Sequence, residues 1–421
     1  MDAHDANSNC PPGEPPPAAG PGHGMEPLGG FLGRRLWQPP FLRAPEASGN
    51  IFRVILLAAL APLAAGVFFF GWRALLIAVL CVCSCMLFES AYYRLTKTPA
   101  LLGRSHAALT GLLLALTLPA FVPWYVPVVG ALFAIVVGKA FFGGVGHFLW
   151  QPALVGRLAV AVIFAPTIWP VPLLNSPTWP VLAQSRVILG DVTEAKAPAV
   201  YTQWRGTPAP AGADAFKLTT PTASLRELTM PETPPAPKLM TVLRRMPPAG
   251  DVLCGAVPGG IGETCGIAIL LAGLYLVYRH YVQLSLPLSF ILAAAATAAI
   301  APIQTDGGSG WRWLPFLAEG SDAGFAYVSF HVFSGELLLA AWFLATEMTS
   351  RPVTAPGQTI FGILCGVITI LLRHYTGFPM PAYGAVLIMN TFTPVLDNIR
   401  PRVLGRAPWW RRHQNAARTG N

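Results

Sequence analysis

Apolar runs of roughly 16 to 22 residues recur along this chain. The first reads "ILLAALAPLAAGVFFF" and the next "ALLIAVLCVCSCMLF", with short turns of Pro, Gly and Arg between such runs. A helix of that length matches the hydrocarbon thickness of a bilayer, and a chain that repeats the pattern has few other places to put so much apolar surface. The composition agrees, with 53% hydrophobic and 11% charged residues, against about 25% charged in ordinary soluble domains. The expected fold class is an all-α integral membrane protein.

Candidate spans lie at about 54–71, 74–91, 107–122, 125–142 and 155–172, and again at about 263–280, 285–303, 327–346, 358–374 and 380–397. Two five-helix halves follow, 51–172 and 263–397. An odd number of crossings in each half makes the second half enter from the opposite side, so a structural repeat between them would be inverted. Residues 1–50, rich in Pro, Gly and Arg, read as a disordered cytoplasmic arm rather than a signal peptide, because no short apolar segment lies near Met1.

Basic residues orient the spans. Arg34, Arg35, Arg43 and Arg53 precede the first, and Arg94, Lys97 and Arg104 follow the second. Arg157, Arg279 and Arg351 mark later turns, and the basic tail 398–421 follows the last span. All fall on one side if both termini are cytoplasmic. Trp124 and Tyr125, in an uncharged connection, suit the opposite interface. Arg373 is discordant and is expected to snorkel outward. The net charge of +9 owes much to Arg400, Arg402, Arg406, Arg411, Arg412 and Arg418. Beside a final span these read as lipid-headgroup contacts, with no need for nucleic acid. The insert 173–262 is placed outside the cytoplasm.

Ionisable side chains within spans cost roughly 2.5–3.5 kcal/mol each on insertion scales and so mark candidate sites. They are Lys139, Glu263, His331, Glu336 and Glu347. Lys139 is equally readable as a snorkelling anchor, and Glu263, in "VPGGIGETCG", as a carboxylate offsetting a helix dipole. His331 and Glu336 stand five apart and are expected to serve separate packing or bonding roles. Cys81, Cys83 and Cys85 alternate faces of a helix and are expected to be small core residues, with no metal. The chain lacks H-E-x-x-H, P-loop and G-x-S-x-G motifs. From these residues alone a solute or ion carrier leads, and the long polar insert has no reason.

The strings "TGLLLALTLPAFVPWYVPVVGALFAIVVGKAFFGGVG", "VPGGIGETCG", "SGELLLAAWFLATEMTSRPVT" and "GAVLIMNTFTPVLDNIRPRVLG" resemble the NqrB/RnfD family. Its members are subunits of sodium-pumping NADH:quinone reductases and of Rnf electron-transport complexes, and the likeness covers most of residues 51–405. The resemblance implies a multi-pass protein of the bacterial cytoplasmic membrane. It also implies FMN outside the membrane, joined through its phosphate to a threonine by a flavin transferase. The acceptor motif resembles D-G-x-S/T-x-A-T, often followed by Pro. Laid on "DAFKLTTPTAS", it implies Asp214 as its first residue, Thr220 as the FMN-bearing threonine and Pro221 after it.

Ala215, Lys217 and Thr219 depart from the pattern, which makes Thr219 and Thr222 the neighbouring alternatives. Further departures are His147 and Gln151 at the turn that keeps Pro152 and Ala153, and Glu347 where relatives carry Asp. The implied function is a membrane redox subunit coupling ferredoxin/NAD electron transfer to Na+ or H+ movement. No catalytic side chain of its own is expected, and Lys139, Glu263 and Glu347 are candidates for the ion or flavin environment. Implied partners are the other Rnf subunits, including the adjacent flavoprotein; a second, noncovalent flavin stays open. The alternatives are a flavin-free solute or ion carrier on the same scaffold and a flavin-free structural subunit.

Overall fold

Each expected span contains a helix, but the helices differ in length more than the apolar runs do. The structure, a computed structural model, describes residues 48–97, 105–120, 122–143, 147–165, 221–230, 239, 242–243, 249–255, 257, 259–305, 310–318 and 320–399. They belong to one compact unit that starts at Ser48. The amino-terminal arm, Asp214 to Thr220 and the arginine tail from Arg400 lie outside the described residues.

The first half holds α1 (Ser48–Phe70), α2 (Trp72–Thr96), α3 (Ser105–Thr117), α4 (Tyr125–Ile135) and α5 (Pro152–Ile163). A π turn, Val136–Ala140, extends α4. Two short helices, α6 (Pro221–Arg226) and α7 (Ala249–Cys254), belong to the insert. The second half contains α8 (Gly266–Tyr278), α9 (Ser285–Ile300), a hairpin of β1 (Ile303–Thr305) and β2 (Gly310–Arg312), and α10 (Pro315–Ala318). It continues with α11 (Ser321–Phe333), α12 (Leu337–Leu339), α13 (Ala355–Tyr375) and α14 (Pro381–Leu396). A second π turn, Ala340–Leu344, extends α12.

Among the described residues, three helices, α1, α2 and α13, are long and apolar enough to cross a membrane alone, and a fourth span arises if α11 and the α12 segment, bent by 56°, count as one. Ten crossings of similar length are therefore not what these helices display. Pro119 and Pro123 stop α3 at Thr117, short of the expected residue 122. The eighth expected span breaks at Ser334–Gly335, where Gly335 has φ +72°, a conformation glycine adopts without strain.

Close backbone approach holds the second half together. Gly362 and Gly366, one turn apart on α13, face α9 so closely that a Cβ on Gly366 would stand 2.7 Å from Ala294 N. Such small-residue seams let membrane helices pack by dispersion without a hydrophobic drive between them. Leu113, Leu116, Ile269, Leu338 and Phe361 form part of the shared apolar core.

Outward apolar side chains suit a lipid-facing surface, among them Leu57, Trp72, Val79 and Leu271. Trp124 is exposed, as expected of an interfacial residue. Cys81 and Cys85 are buried, as expected of small core residues, while Cys83 departs from that expectation and is exposed, because a residue two positions along a helix faces another side. No cluster of metal-ligating residues occurs among the described residues.

Candidate ion and cofactor site

Helix α3 carries a polar cluster at each end, separated by about 16 Å of helix rise. At its start, His106 is fully buried. Its Nε2 lies 3.1 Å from Glu347 Oε1 and its Nδ1 3.2 Å from Lys139 Nζ. Lys139 in turn donates to Glu89 on α2. The result is a chain of four ionisable side chains, Glu89–Lys139–His106–Glu347, all at most 6% exposed. Thr349 donates to Glu347 Oε1 at 3.2 Å, and Thr110 donates to the His106 carbonyl at 3.0 Å.

The π turn delivers Lys139 to this chain. Its Phe141 N–H returns to the Val136 carbonyl, so the turn holds one residue more than an α turn and changes the direction of the side chains on it. The snorkelling alternative for Lys139 is thereby overturned: the ammonium points into the bundle, where a carboxylate meets it. A narrow cleft lined by Phe52, Leu109, Phe343 and Thr346 reaches Glu347 from the apolar side.

At the far end of α3, free helix carbonyls are taken up by a loop from the second half. Gly262 N and Ile261 N donate to Leu116 and Leu118 carbonyls at 2.8 and 2.9 Å. Arg157 Nε donates to the Thr117 carbonyl at 3.0 Å. A helix end inside the bundle needs such partners. Arg157 is therefore no charge of a connecting turn, as expected from its position, but a buried residue of α5.

That loop positions Glu263, which accepts from Gly260 N at 2.9 Å and from the Tyr383 hydroxyl at 2.5 Å. Glu336 accepts from Ala382 N at 2.7 Å. The first turn of α14 thus draws in two carboxylates, as the positive end of a helix favours.

Arg373 departs from its expected outward course. It is 2% exposed and donates to the His331 carbonyl at 2.7 Å. His331 and His374 approach through their Nε2 atoms at 3.3 Å, and the Tyr327 hydroxyl lies 3.2 Å from His374. His331 and Glu336 serve separate partners, as their spacing suggested. Arg373 Nε and Nη2 and His374 Nδ1 are buried without a hydrogen-bond partner among the described residues.

The described end of the insert rests on this second cluster. Thr229 donates to the His374 carbonyl at 2.5 Å, and Gln304 N donates to the Leu228 carbonyl at 3.0 Å. A Cβ on Gly335 would stand 2.9 Å from the Thr222 methyl. Helix α6 begins at Pro221, and its Thr222 lies against the break between α11 and α12.

The profile of the NQR2, RnfD, RnfE family matches residues 36–405. The chain belongs to this family. An ion-translocating oxidoreductase complex subunit from Halorhodospira halophila is 33% identical over 87% of this chain and 94% of its own length. The protein of the same name from Stutzerimonas stutzeri is 34% identical over 84% of this chain and 90% of its own. A subunit of a Na(+)-translocating ferredoxin:NAD(+) oxidoreductase complex from Acetobacterium woodii is 29% identical, covering 87% and 93% respectively.

In this family member the two halves converge on both clusters. Of the residues expected from sequence, Lys139 joins Glu347 through His106, while Glu263 belongs with Glu336 at the opposite end of α3. Glu89 and His106 are not among the candidates that the sequence marks. A carboxylate in "CMLFESAYY" is the signal for Glu89, whereas His106 next to Arg104 resembles an ordinary turn residue.

Proposed function

We propose that this chain is the membrane redox subunit of an Rnf-type complex, passing electrons through FMN joined by its phosphate to Thr220 and coupling ferredoxin/NAD electron transfer to Na+ or H+ translocation. In this reading, ten crossings in two inverted halves place the insert outside the bacterial cytoplasmic membrane and both termini inside. The names of the curated relatives support membership of a multi-subunit complex. The partners are its other subunits, including the adjacent flavoprotein, and a flavin transferase for maturation.

The observation that supports the cofactor assignment is the packing of residues 221–229 on α13, where Thr229 donates to the His374 carbonyl, near buried nitrogens with no hydrogen-bond partner among the described residues, Arg373 Nε and Nη2 and His374 Nδ1. These residues fit an anionic, hydrogen-bonding group tethered just upstream. When bound, FMN supplies the one- and two-electron chemistry; the protein supplies position and charge compensation. Thr220 holds the group through its phosphate, and Asp214 and Pro221 complete the acceptor motif. Arg373 would compensate negative charge near this buried cluster, while His331 and His374 orient one another through their Nε2 atoms. Glu263 and Glu336 keep the start of α14 in place.

The test is in-gel fluorescence of the denatured chain after coexpression with its flavin transferase, with Thr220→Ala in parallel. Flavin on the wild-type band and none on the variant is the expected result. An unlabelled wild-type band, with a labelled relative as control, rejects the covalent flavin. An equally labelled variant moves the bond away from Thr220.

A further inference from the structure

The chain Glu89–Lys139–His106–Glu347 has an internal direction. Lys139 Nζ has only protons to offer, so the His106 Nδ1 that faces it at 3.2 Å must be the accepting nitrogen. The ring proton then sits on Nε2, aimed at Glu347 Oε1. Every neighbour in the row is thus a donor facing an acceptor. At the two ends, Glu89 Oε2 and Glu347 Oε2 are buried with no hydrogen-bond partner assigned among the described residues, and Tyr93 stands against Glu89.

We propose that these four side chains form a proton relay and that the ion exchanged here is H+, not Na+. The inference deepens the ion-translocating reading given above and rests on it. In the forward step the Lys139 ammonium gives a proton to His106 Nδ1 while His106 Nε2 gives its proton to Glu347. Lys139 ends as the amine, His106 as the other neutral tautomer and Glu347 as the acid. No proton is created or lost, no electron moves, and one positive charge has shifted from the Glu89 side to the Glu347 side. The cycle closes when Lys139 is reprotonated through Glu89, Glu347 releases its proton, and His106 exchanges its Nδ1 proton for one on Nε2, so that the ring again accepts from Lys139 and donates to Glu347.

The surroundings favour a proton over a metal cation. A hard cation needs several converging oxygens, whereas an ammonium and an imidazole separate the two carboxylates here, and the ammonium repels a second cation. The groups facing the chain leave this balance in place. Cys85 and Tyr93 on α2 stand beside Glu89. Thr110 of α3 bonds His106 and Thr349 bonds Glu347. Phe52 of α1 and Phe148 flank the imidazole with ring centroids at 4.9 and 5.6 Å. The remaining cleft walls, Ile55, Leu109, Leu113, Leu276, Val282 and Phe343, are apolar. A buried row of charges is costly inside a membrane and so marks a functional site, because packed apolar groups in its place are often no less stable.

The experiment begins with the wild-type full-length chain in lipid nanodiscs, followed by infrared difference spectroscopy across a pH titration. A deuterium-sensitive carboxylic-acid band that titrates identically in sodium and in choline buffers, and that disappears in Glu347→Gln, is the expected result. A titration displaced by sodium, or no such band, overturns the proposal. The second arm uses the whole complex in vesicles and reads protons moved per electron passed. His106→Gln, which keeps polarity but cannot relay, is expected to abolish proton movement coupled to electron transfer, taking that ratio to zero; an unchanged ratio overturns the relay. Absence of electron transfer by the wild-type complex refutes the subunit reading instead, and leaves the infrared result to decide the relay.

Discussion

The two ends of α3 handle buried charge in opposite ways. At the His106 end, ionisable side chains bond one another: Glu89 to Lys139, Lys139 to His106, His106 to Glu347. At the Thr117 end the arginines and carboxylates mainly bond backbone, beside the His331–His374 and Tyr383–Glu263 side-chain contacts: Arg157 to the Thr117 carbonyl, Arg373 to the His331 carbonyl, Glu263 to Gly260 N and Glu336 to Ala382 N. Irregular backbone survives at membrane depth only where something inside the protein satisfies it. The second cluster therefore holds broken helices in place, while the first is free of that duty and available to exchange charge.

The comparison breaks most sharply at Lys139. Lys139→Met leaves Glu89 buried without its cation, and we expect a loss of about 3–5 kcal/mol in denaturant unfolding of the detergent-solubilised chain. Lys139→Met with Glu89→Gln is expected to recover most of that loss, because the uncompensated charge is gone. Arg373→Met tests the other end. It removes a charge but orphans the His331 carbonyl, so about 2 kcal/mol is expected, and Glu336→Gln is not expected to rescue it. A full rescue would mean that the Thr117 end is also organised as ion pairs.

Two smaller effects sharpen the contrast. Gly335→Ala forces a side chain onto φ +72° and against the Thr222 methyl, for about 1–2 kcal/mol. Faster proteolysis within residues 221–230 is expected before global unfolding. Tyr383→Phe removes the donor to Glu263 but leaves Gly260 N in place; a loss of about 1 kcal/mol is expected in the same unfolding assay.

Much of the helical plan is legible in the apolar runs, since α1, α2 and α13 are nearly the lengths those runs imply. The shortening of α3 is less so, although Pro119 and Pro123 stand where it happens. Hydropathy averages over a window and does not register where a helix stops inside a bundle. The break at Gly335 poses the same problem, because a positive φ is a property of the folded chain.

The sites divide similarly. Lys139, Glu263 and Glu347 are visible as costly charges in apolar surroundings, but their partners are not. His106 and Glu347 stand 241 residues apart in the chain and meet only when the halves assemble. Arg157 and Arg373 mislead for one reason: position near a span end suggests a connecting turn for the first and an outward course for the second, and carbonyls freed by helix breaks draw both inward.

The π turn at Val136–Ala140 amounts to one surplus residue in a helix. Its consequence is one of phase. Deleting a single residue between Val136 and Gly138 would let α4 run on as a regular helix, turning everything beyond it by about 100°. Lys139 would then leave Glu89 and His106 without any change in its own identity. A length change too small to alter hydropathy would separate the charges that the fold brings together.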